Sequence, residues 1–156
     1  MSTNPTDVIK ELLENTAPDK VEAAARRLVA DDLTYVSLNF DNPELKRILP
    51  WTGTWKGQFT LSDVFKRVAK FWTIEDFSVA SLFGSGEDVA VFGEFTYLSN
   101  TTGKAFRSPF AIHAKVRNGK VVFFLFMEDT FASARSFSTD GTWTIKTELQ
   151  AEPYEV

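Results

Sequence analysis

The stretch SPFAIHAKVRNGKVVFFLFMEDT, residues 108–130, decides the fold of this chain. Two apolar-rich runs flank Asn118 and Gly119, a residue pair typical of the type I′ turn, so the sequence predicts a β-hairpin here. Alternation along the first run sets Phe110 on the opposite face from His113. The hairpin is therefore predicted to have one core face and one outer face.

Outward from this hairpin, apolar periodicity predicts helices before it and strands around it. Helical spacing marks two N-terminal segments and a third at residues 60–72, whereas residues 33–40 alternate as a strand. Residues 41–57 read as an irregular segment, and its length is typical of a functional loop or lid. Two further strands are predicted at residues 74–83 and 89–98.

Helices that precede a series of hairpin-connected strands are typical of an α+β fold. We therefore expect a curved, mostly antiparallel sheet on which three helices close a cone. A chain of 156 residues has the length of one domain. We assign residues 1–156 to that single domain, with its core at residues 6–135 and a C-terminal tail at residues 136–156.

The composition of the chain disfavours several classes of function. With 17 Lys and Arg against 21 Asp and Glu, the net charge is −4, so no basic field attracts nucleic acid. The absence of Cys and the single His leave no thiolate site and too few ligands for a transition metal. The sequence also lacks a glycine-rich phosphate loop. We expect a site without a metal or nucleotide cofactor.

The aromatic content points to a small apolar molecule as the partner. The chain has 15 Phe, 4 Trp and 3 Tyr, which predicts an apolar cavity. The longest apolar run, residues 121–127, is far shorter than the roughly twenty residues that a membrane-spanning helix needs. We therefore expect no membrane partner. The N-terminus lacks the pattern of a secretory leader, and the absence of Cys suits a reducing compartment, so a cytoplasmic location is predicted.

Two stretches resemble the nuclear transport factor 2-like superfamily. Residues 28–37, LVADDLTYVS, resemble its "ADD" junction between helix and strand, and residues 108–130 resemble the closing hairpin of its SnoaL-like branch. The resemblance spans residues 6–135 and implies a conical α+β roll of the cystatin-like type. The superfamily includes ketosteroid isomerases, polyketide cyclases, epoxide hydrolases, dehydratases and non-catalytic binding proteins, so the resemblance implies a fold more specifically than a reaction.

The ketosteroid-isomerase pattern of an Asp base beside a Tyr and a neutral Asp does not transfer to this chain. Without gaps, the family's functional positions fall on Leu13, Ser37, Ile112 and Phe126. None of these side chains can perform the corresponding role. Any proton transfer must therefore use a different group.

Three residues are the candidate catalytic groups. Glu128 follows Phe124 and Phe126 on one strand face, and burial against aromatic rings raises the pKa of a carboxyl toward a useful value. The alternative is an exposed Glu at a strand end. Tyr35 and Asn39 share a face of the first strand and could donate hydrogen bonds to a developing oxyanion. The alternative is that both are hydrogen-bonded polar groups of the core.

The remaining candidates are predicted to line the binding site. Ser37 shares the face of Tyr35, and two Trp side chains of the long loop could stack on a ligand or close the core. The predicted binding residues are Ser37, Trp51, Trp55, Phe110, Ile112, Phe124 and Phe126.

Three other polar residues have a structural explanation that competes with a role in the site. The single His, His113, alternates onto the outer face of its strand. Asp129 precedes a short helical segment and suits the role of an N-cap. Glu94 interrupts an apolar strand and is expected to pair with Arg107, or else to be functional.

Three functions remain open at this level. The first is an isomerase, cyclase or lyase acting on a small, largely apolar substrate. The second is a binding protein without chemistry. The third is an interaction module whose cone is filled by its own side chains, namely Phe92, Phe110, Phe124 and Phe126.

A homodimer is also predicted. The helices cover one face of the sheet, so Phe123, Leu125 and Met127 would form an apolar patch on the other.

Overall fold

The computed structural model describes residues 4–156, and within that range the chain forms five helices and eight strands. The helices are α1 (Pro5–Leu13), α2 (Val21–Leu28), α3 (Pro43–Ile48), α4 (Thr60–Phe71) and α5 (Thr130–Arg135). The strands are β1 (Val29–Ser37), β2 (Gly53–Lys56), β3 (Trp72–Ser85), β4 (Asp88–Ser99), β5 (Ala105–Arg117), β6 (Lys120–Glu128), β7 (Thr144–Ile145) and β8 (Tyr154–Glu155).

Strands β1 to β6 form one curved sheet in the order β2-β1-β6-β5-β4-β3. Strand β1 lies parallel to β6, and the other neighbours pair antiparallel. The predicted α+β fold is confirmed. No helix within residues 4–156 has the length and apolar character needed to cross a membrane.

The three longer helices, α1, α2 and α4, pack on one side of the sheet and enclose the core. In α2, Val21, Ala24, Ala25 and Leu28 are all buried, which is the helical spacing that the sequence shows. The small Ala side chains let this helix lie close to its neighbours. The predicted closure of a cone by three helices therefore describes the arrangement, to which α3 and α5 add two short helices.

Strand β1 begins and ends earlier than the predicted strand at residues 33–40. Its last residue is Ser37, because Leu38 adopts a positive φ of 69°, which takes the chain out of the extended conformation. The Leu38 amide still donates to the Phe126 carbonyl at 2.9 Å. The change of direction at Leu38 rearranges the side chains that follow it.

The segment predicted to be irregular, residues 41–57, contains α3 and β2. The Asn42 side chain accepts a hydrogen bond from the Leu45 amide at 2.9 Å, and Pro43 occupies the first turn, so a regular N-cap starts α3. Strand β2 then pairs with the free edge of β1, where Trp55 lies opposite Tyr35. The prediction that this segment is irregular was wrong, because α3 and β2 are both too short to show a clear periodicity in the sequence.

The hairpin at residues 108–130 forms as predicted. Asn118 and Gly119 have φ values of 53° and 75°, as a type I′ turn requires, and they join β5 to β6. Along β6, Phe124 is fully buried on the helix side, whereas Met127 is exposed on the opposite side. The last residue of β6 on the inner face is Glu128.

The C-terminal segment packs against Trp72, the first residue of β3. After α5, the Ser136 hydroxyl accepts a hydrogen bond from the Trp72 indole at 2.9 Å, and the Phe137 ring stacks on Trp72 at 5.1 Å between centroids. Strands β7 and β8 then pair as a separate two-stranded sheet within the segment assigned to the C-terminal tail.

Candidate functional site

A cavity of about 300 Å³ lies between the inner face of the sheet and the helices. Its wall is formed by Leu13, Thr16, Ala17, Pro18, Tyr35, Ser37, Leu38, Trp51, Val64, Phe65, Val68, Ala69, Trp72, Ile74, Phe77, Tyr97, Phe126 and Glu128. Most of these side chains are aliphatic or aromatic. The few polar groups are therefore the ones that can orient a ligand.

Glu128 is the carboxyl group of this wall. It ends β6 opposite Phe110, and its Oε2 is inaccessible to solvent and has no hydrogen-bond partner among the described residues. Burial raises the pKa of Glu128 from 4.5 to about 8; the nearby Ser133 hydroxyl opposes this shift, and the Asp129 carboxylate adds to it. Glu128 therefore holds a proton near neutrality and can release it within an accessible pH range.

Two tyrosine hydroxyls share the cavity with Glu128. Burial raises the pKa of Tyr35 above its ordinary value; the Ser37 hydroxyl opposes this shift, and the charge on Glu128 adds to it. Burial and the charge on Glu128 likewise raise the pKa of Tyr97. Because each hydroxyl responds to the charge on Glu128, the three groups lie within electrostatic reach of one another. Both tyrosines stay protonated and remain hydrogen-bond donors.

Tyr97 is a member of the cavity wall that was not among the predicted site residues, although the sequence carries a signal for it. On β4 the side chains of Phe95 and Tyr97 lie on the buried face, and Glu94 lies on the opposite face. The Tyr97 ring packs 4.1 Å from the Phe95 ring and 5.7 Å from the Trp72 ring, measured between centroids. These two contacts position its hydroxyl in the cavity wall.

Asn39 does not line the cavity, which corrects the prediction that it shares a face with Tyr35 and Ser37. The positive φ of Leu38 breaks the alternation, so Leu38 takes a place in the wall and Asn39 is turned away. Both polar atoms of the Asn39 amide are buried without a partner among the described residues. Tyr97 is the second donor in the wall, where Asn39 was expected.

The two Trp side chains of the predicted loop have different positions. Trp51 is buried and lines the cavity, with its ring edge against Trp72 at 5.1 Å between centroids. Trp55 does not line it: the Trp55 indole donates to the Trp51 carbonyl at 2.9 Å, and the Lys46 ammonium lies 4.5 Å from the ring centroid. Trp55 therefore stabilises the position of Trp51 from outside the cavity wall.

Phe126 lies in the cavity wall. The prediction that Phe110, Ile112 and Phe124 also line the cavity is corrected, because these three side chains belong to the buried core behind the wall. The Phe110 ring stacks on Phe126 at 5.3 Å between centroids, so it reaches a ligand only through that ring. These three positions face inward as expected. Aromatic rings of the wall, such as Phe126 and Phe65, lie between this layer and the cavity.

Phe110 depends on a glycine in the neighbouring strand. A Cβ at Gly93 would lie 2.6 Å from the Phe110 ring and 2.1 Å from the Ser78 carbonyl oxygen. No side chain fits at this position without displacing the backbone or the ring. Gly93 therefore allows the aromatic layer to pack against the sheet.

The three ambiguous polar residues lie outside the cavity wall. Glu94 pairs with Arg107 at 2.5 Å, as predicted. The His113 Nε2 lies 2.7 Å from Asp88 on the outer face. The Asp129 carboxylate caps α5 by accepting from the Ala132 amide at 3.1 Å. Across residues 4–156, no cluster of three His, Cys, Asp or Glu side chains could hold a metal ion.

Two fungal proteins are similar to this chain over most of its length. Patulin synthesis protein F of Aspergillus clavatus is 42% identical over 142 residues, which cover 89% of this chain and 71% of that protein. The chain belongs to the patulin synthesis protein F family. Patulin biosynthesis cluster protein F of Penicillium expansum, another member, is 41% identical over 141 residues, covering 88% of this chain and 70% of that protein. No protein-family model matches the sequence.

Solved structures identify the fold of this family member as nuclear transport factor 2-like, as the sequence resemblance implied. An NTF2-like protein from Burkholderia thailandensis superposes with a TM-score of 0.73 at 22% identity, covering 89% of this chain and all of its own. A putative SnoaL-like polyketide cyclase from Jannaschia gives 0.68 at 11% identity, covering 88% and 94%. TerC co-crystallised with polyporic acid gives 0.68 at 19% identity, covering 85% and 97%. At these identities the likeness concerns the fold alone.

Proposed function

We propose that this protein binds a small, largely apolar molecule in the cavity and catalyses a cofactor-independent proton transfer on it. The observation that carries the proposal is the position of Glu128, a carboxyl group with a buried, unpartnered oxygen in an aromatic wall. A buried ionisable group with an unpartnered oxygen costs stability, and such groups are typical of functional sites. Isomerase, cyclase and lyase reactions of this kind need no other reactant.

The three polar groups have distinct roles in such a reaction. The ionised Glu128 takes a proton from a carbon next to a carbonyl group, and the electron pair of the broken C–H bond moves to the carbonyl oxygen. The hydroxyls of Tyr35 and Tyr97 donate hydrogen bonds to the resulting enolate oxygen. Glu128 then returns the proton to a different atom of the product, so atoms and charges balance. With a pKa of about 8, Glu128 is a stronger base than an ordinary carboxylate.

The names of the two fungal relatives support a biosynthetic substrate. Both are named for the synthesis of patulin, a role that their names assign to those proteins. A cavity of about 300 Å³ suits a compact intermediate of small-molecule biosynthesis. We therefore place this protein in the biosynthesis of a small product, with an intermediate of that route as its substrate.

A non-catalytic binding protein is the second candidate. It is favoured by the predominance of apolar side chains in the wall, since a binding protein needs hydroxyls to orient a ligand but no titrating group. The self-filled cone of the third hypothesis conflicts with the open cavity. Phe92, one of its four proposed fillers, lies on the outer face and is 46% exposed.

Solvent-proton exchange is the experiment that tests catalysis. Small cyclic ketones and enones would be incubated with the protein in deuterated buffer, and deuterium incorporation next to the carbonyl would be followed by NMR. The Glu128→Gln variant should lose about 10²- to 10⁴-fold in exchange rate, because it removes the proton-transfer group and preserves the shape. Tyr35→Phe and Tyr97→Phe should each lose less.

Two controls make the result decisive. Glu94→Gln removes a carboxylate that pairs with Arg107 outside the cavity, and its exchange rate should match that of the unmodified protein. Ligand binding to Glu128→Gln, measured by quenching of Trp fluorescence, should persist. Exchange that survives in Glu128→Gln would refute the catalytic role. Binding by the unmodified protein with no exchange of any ketone would favour the non-catalytic candidate.

A further inference from the structure

The groups of the described cavity wall that can ionise are all acidic. Among the residues that the structure describes, no Lys, Arg or His belongs to the cavity wall, and its titratable members are Tyr35, Tyr97 and Glu128. Viewed from Glu128, β1 contributes Tyr35, β4 contributes Tyr97, α5 contributes the Ser133 hydroxyl, and Asp129 follows in the chain. None of these groups carries a positive charge.

Two lysine side chains on elements near the cavity have partners outside its wall. The Lys46 ammonium lies over the Trp55 ring, at 4.5 Å from its centroid. Lys66, on the helix that contributes Val64 and Phe65 to the wall, pairs with Glu22 at 2.5 Å on the surface. A ligand anion in the cavity would therefore find no counter-charge among the described residues that line the wall.

The hydrogen-bonding groups of the wall also favour an uncharged ligand. The hydroxyls of Tyr35, Tyr97 and Ser37 and the protonated carboxyl of Glu128 can all donate, so together they suit an acceptor oxygen. A carbonyl oxygen accepts such bonds without bringing a charge. A carboxylate would accept them too, but it would lose its hydration without gaining an ion pair, and it would lie beside an acidic group.

We propose that the cavity selects its ligand by charge: it admits uncharged molecules with a carbonyl or hydroxyl oxygen at the Glu128 end and rejects carboxylates of the same shape. The inference rests on the proposed function only in using the same cavity, and it requires no catalysis. It narrows the ligand class to uncharged molecules that carry a carbonyl or hydroxyl oxygen.

A matched pair of probes tests this selectivity. 2-Acetylnaphthalene and 2-naphthoate share one ring system and differ in the charge of the oxygen-bearing group. At about pH 6.5 the naphthoate is ionised and Glu128 is protonated. Binding would be measured by quenching of Trp51 and Trp72 fluorescence and by calorimetry. We expect the ketone to bind at least about 100-fold more tightly than the naphthoate.

A gain-of-function variant strengthens the test. Thr16 lies in the cavity wall between α1 and α2, so Thr16→Lys would add an ammonium group without removing core volume. This variant should bind 2-naphthoate about tenfold or more tightly than the unmodified protein does, with little change for the ketone. Ser81→Lys, which adds the same charge at an exposed position of β3 that does not line the cavity, is the control and should not improve naphthoate binding.

The outcomes separate this inference from the proposed function. Equal affinities for the two probes, tighter binding of the naphthoate, or failure of the ketone to bind would overturn the charge selectivity. So would Thr16→Lys and Ser81→Lys improving naphthoate binding equally. Preference for the ketone without any solvent-proton exchange would support the selectivity and count against the proposed catalysis alone.

Discussion

The pH dependence of stability provides a direct test of the buried carboxyl group. The pKa of Glu128 is raised from 4.5 to about 8 in the folded protein, mainly by burial. Between these pH values the folded state keeps a proton that the unfolded state has released. The free energy of unfolding must therefore fall as the pH rises through this window, and it levels off above about pH 8.

The size of the effect follows from the same two values. A displacement from 4.5 to about 8, at about 1.4 kcal/mol per pH unit, corresponds to roughly 5 kcal/mol. As a residue Glu128 keeps partial exposure, so water in the cavity reduces this cost. We expect the unmodified protein to lose about 2 to 5 kcal/mol in this window that Glu128→Gln does not lose.

Urea denaturation, followed by Trp fluorescence at a series of pH values, measures this difference. Both proteins would be compared at one chain concentration, so that any self-association affects them equally. Other titrating groups are common to both proteins and cancel in the comparison. Glu87 and Asp88, whose pKa values are lowered mainly by hydrogen bonds from Arg117 and His113, affect stability at the acid end instead.

Glu94→Gln serves as the control for the loss of one negative charge. Its carboxylate is exposed and pairs with Arg107, so its removal should leave the pH profile parallel to that of the unmodified protein. If the profiles of Glu128→Gln and the unmodified protein were also parallel, Glu128 would be ionised and solvated in the folded state. That result would remove the physical basis of the proposed site.

Three further predictions concern packing and assembly. Gly93→Ala should destabilise the protein by about 1 to 3 kcal/mol or more, because its Cβ would lie 2.6 Å from the Phe110 ring; an unchanged urea midpoint would contradict this. Ser136→Ala should cost about 1 to 3 kcal/mol and shift the Trp emission, since the Trp72 indole loses its 2.9 Å acceptor; Ser136→Thr, which retains a hydroxyl, should restore the emission if the hydrogen bond is responsible. From the apolar outer face of the sheet we expect a homodimer, which Met127→Glu should weaken. A sedimentation mass of 17.6 kDa for the unmodified protein at micromolar concentration would refute the dimer.

The sequence by itself determines the elements that local chemistry controls. Asn118 and Gly119 specify the turn between β5 and β6, because both residues tolerate positive φ. Alternation along β6 then places Phe124, Phe126 and Glu128 on the inner face, since neighbouring side chains of a strand point to opposite sides. These are short-range effects, so the α+β fold and the position of Glu128 in the wall could both be predicted.

The tertiary structure decides which side chains meet around Glu128. Tyr97 lies on β4, separated from β6 by β5, so only the curvature of the sheet and the rings of Phe95 and Trp72 bring its hydroxyl into the cavity. Asn39 leaves the wall because a single positive φ at Leu38 ends the alternation. Alternation within β4 places Tyr97 on the buried face, but it does not show which side chains of other strands Tyr97 meets, because that depends on packing between segments distant in the chain.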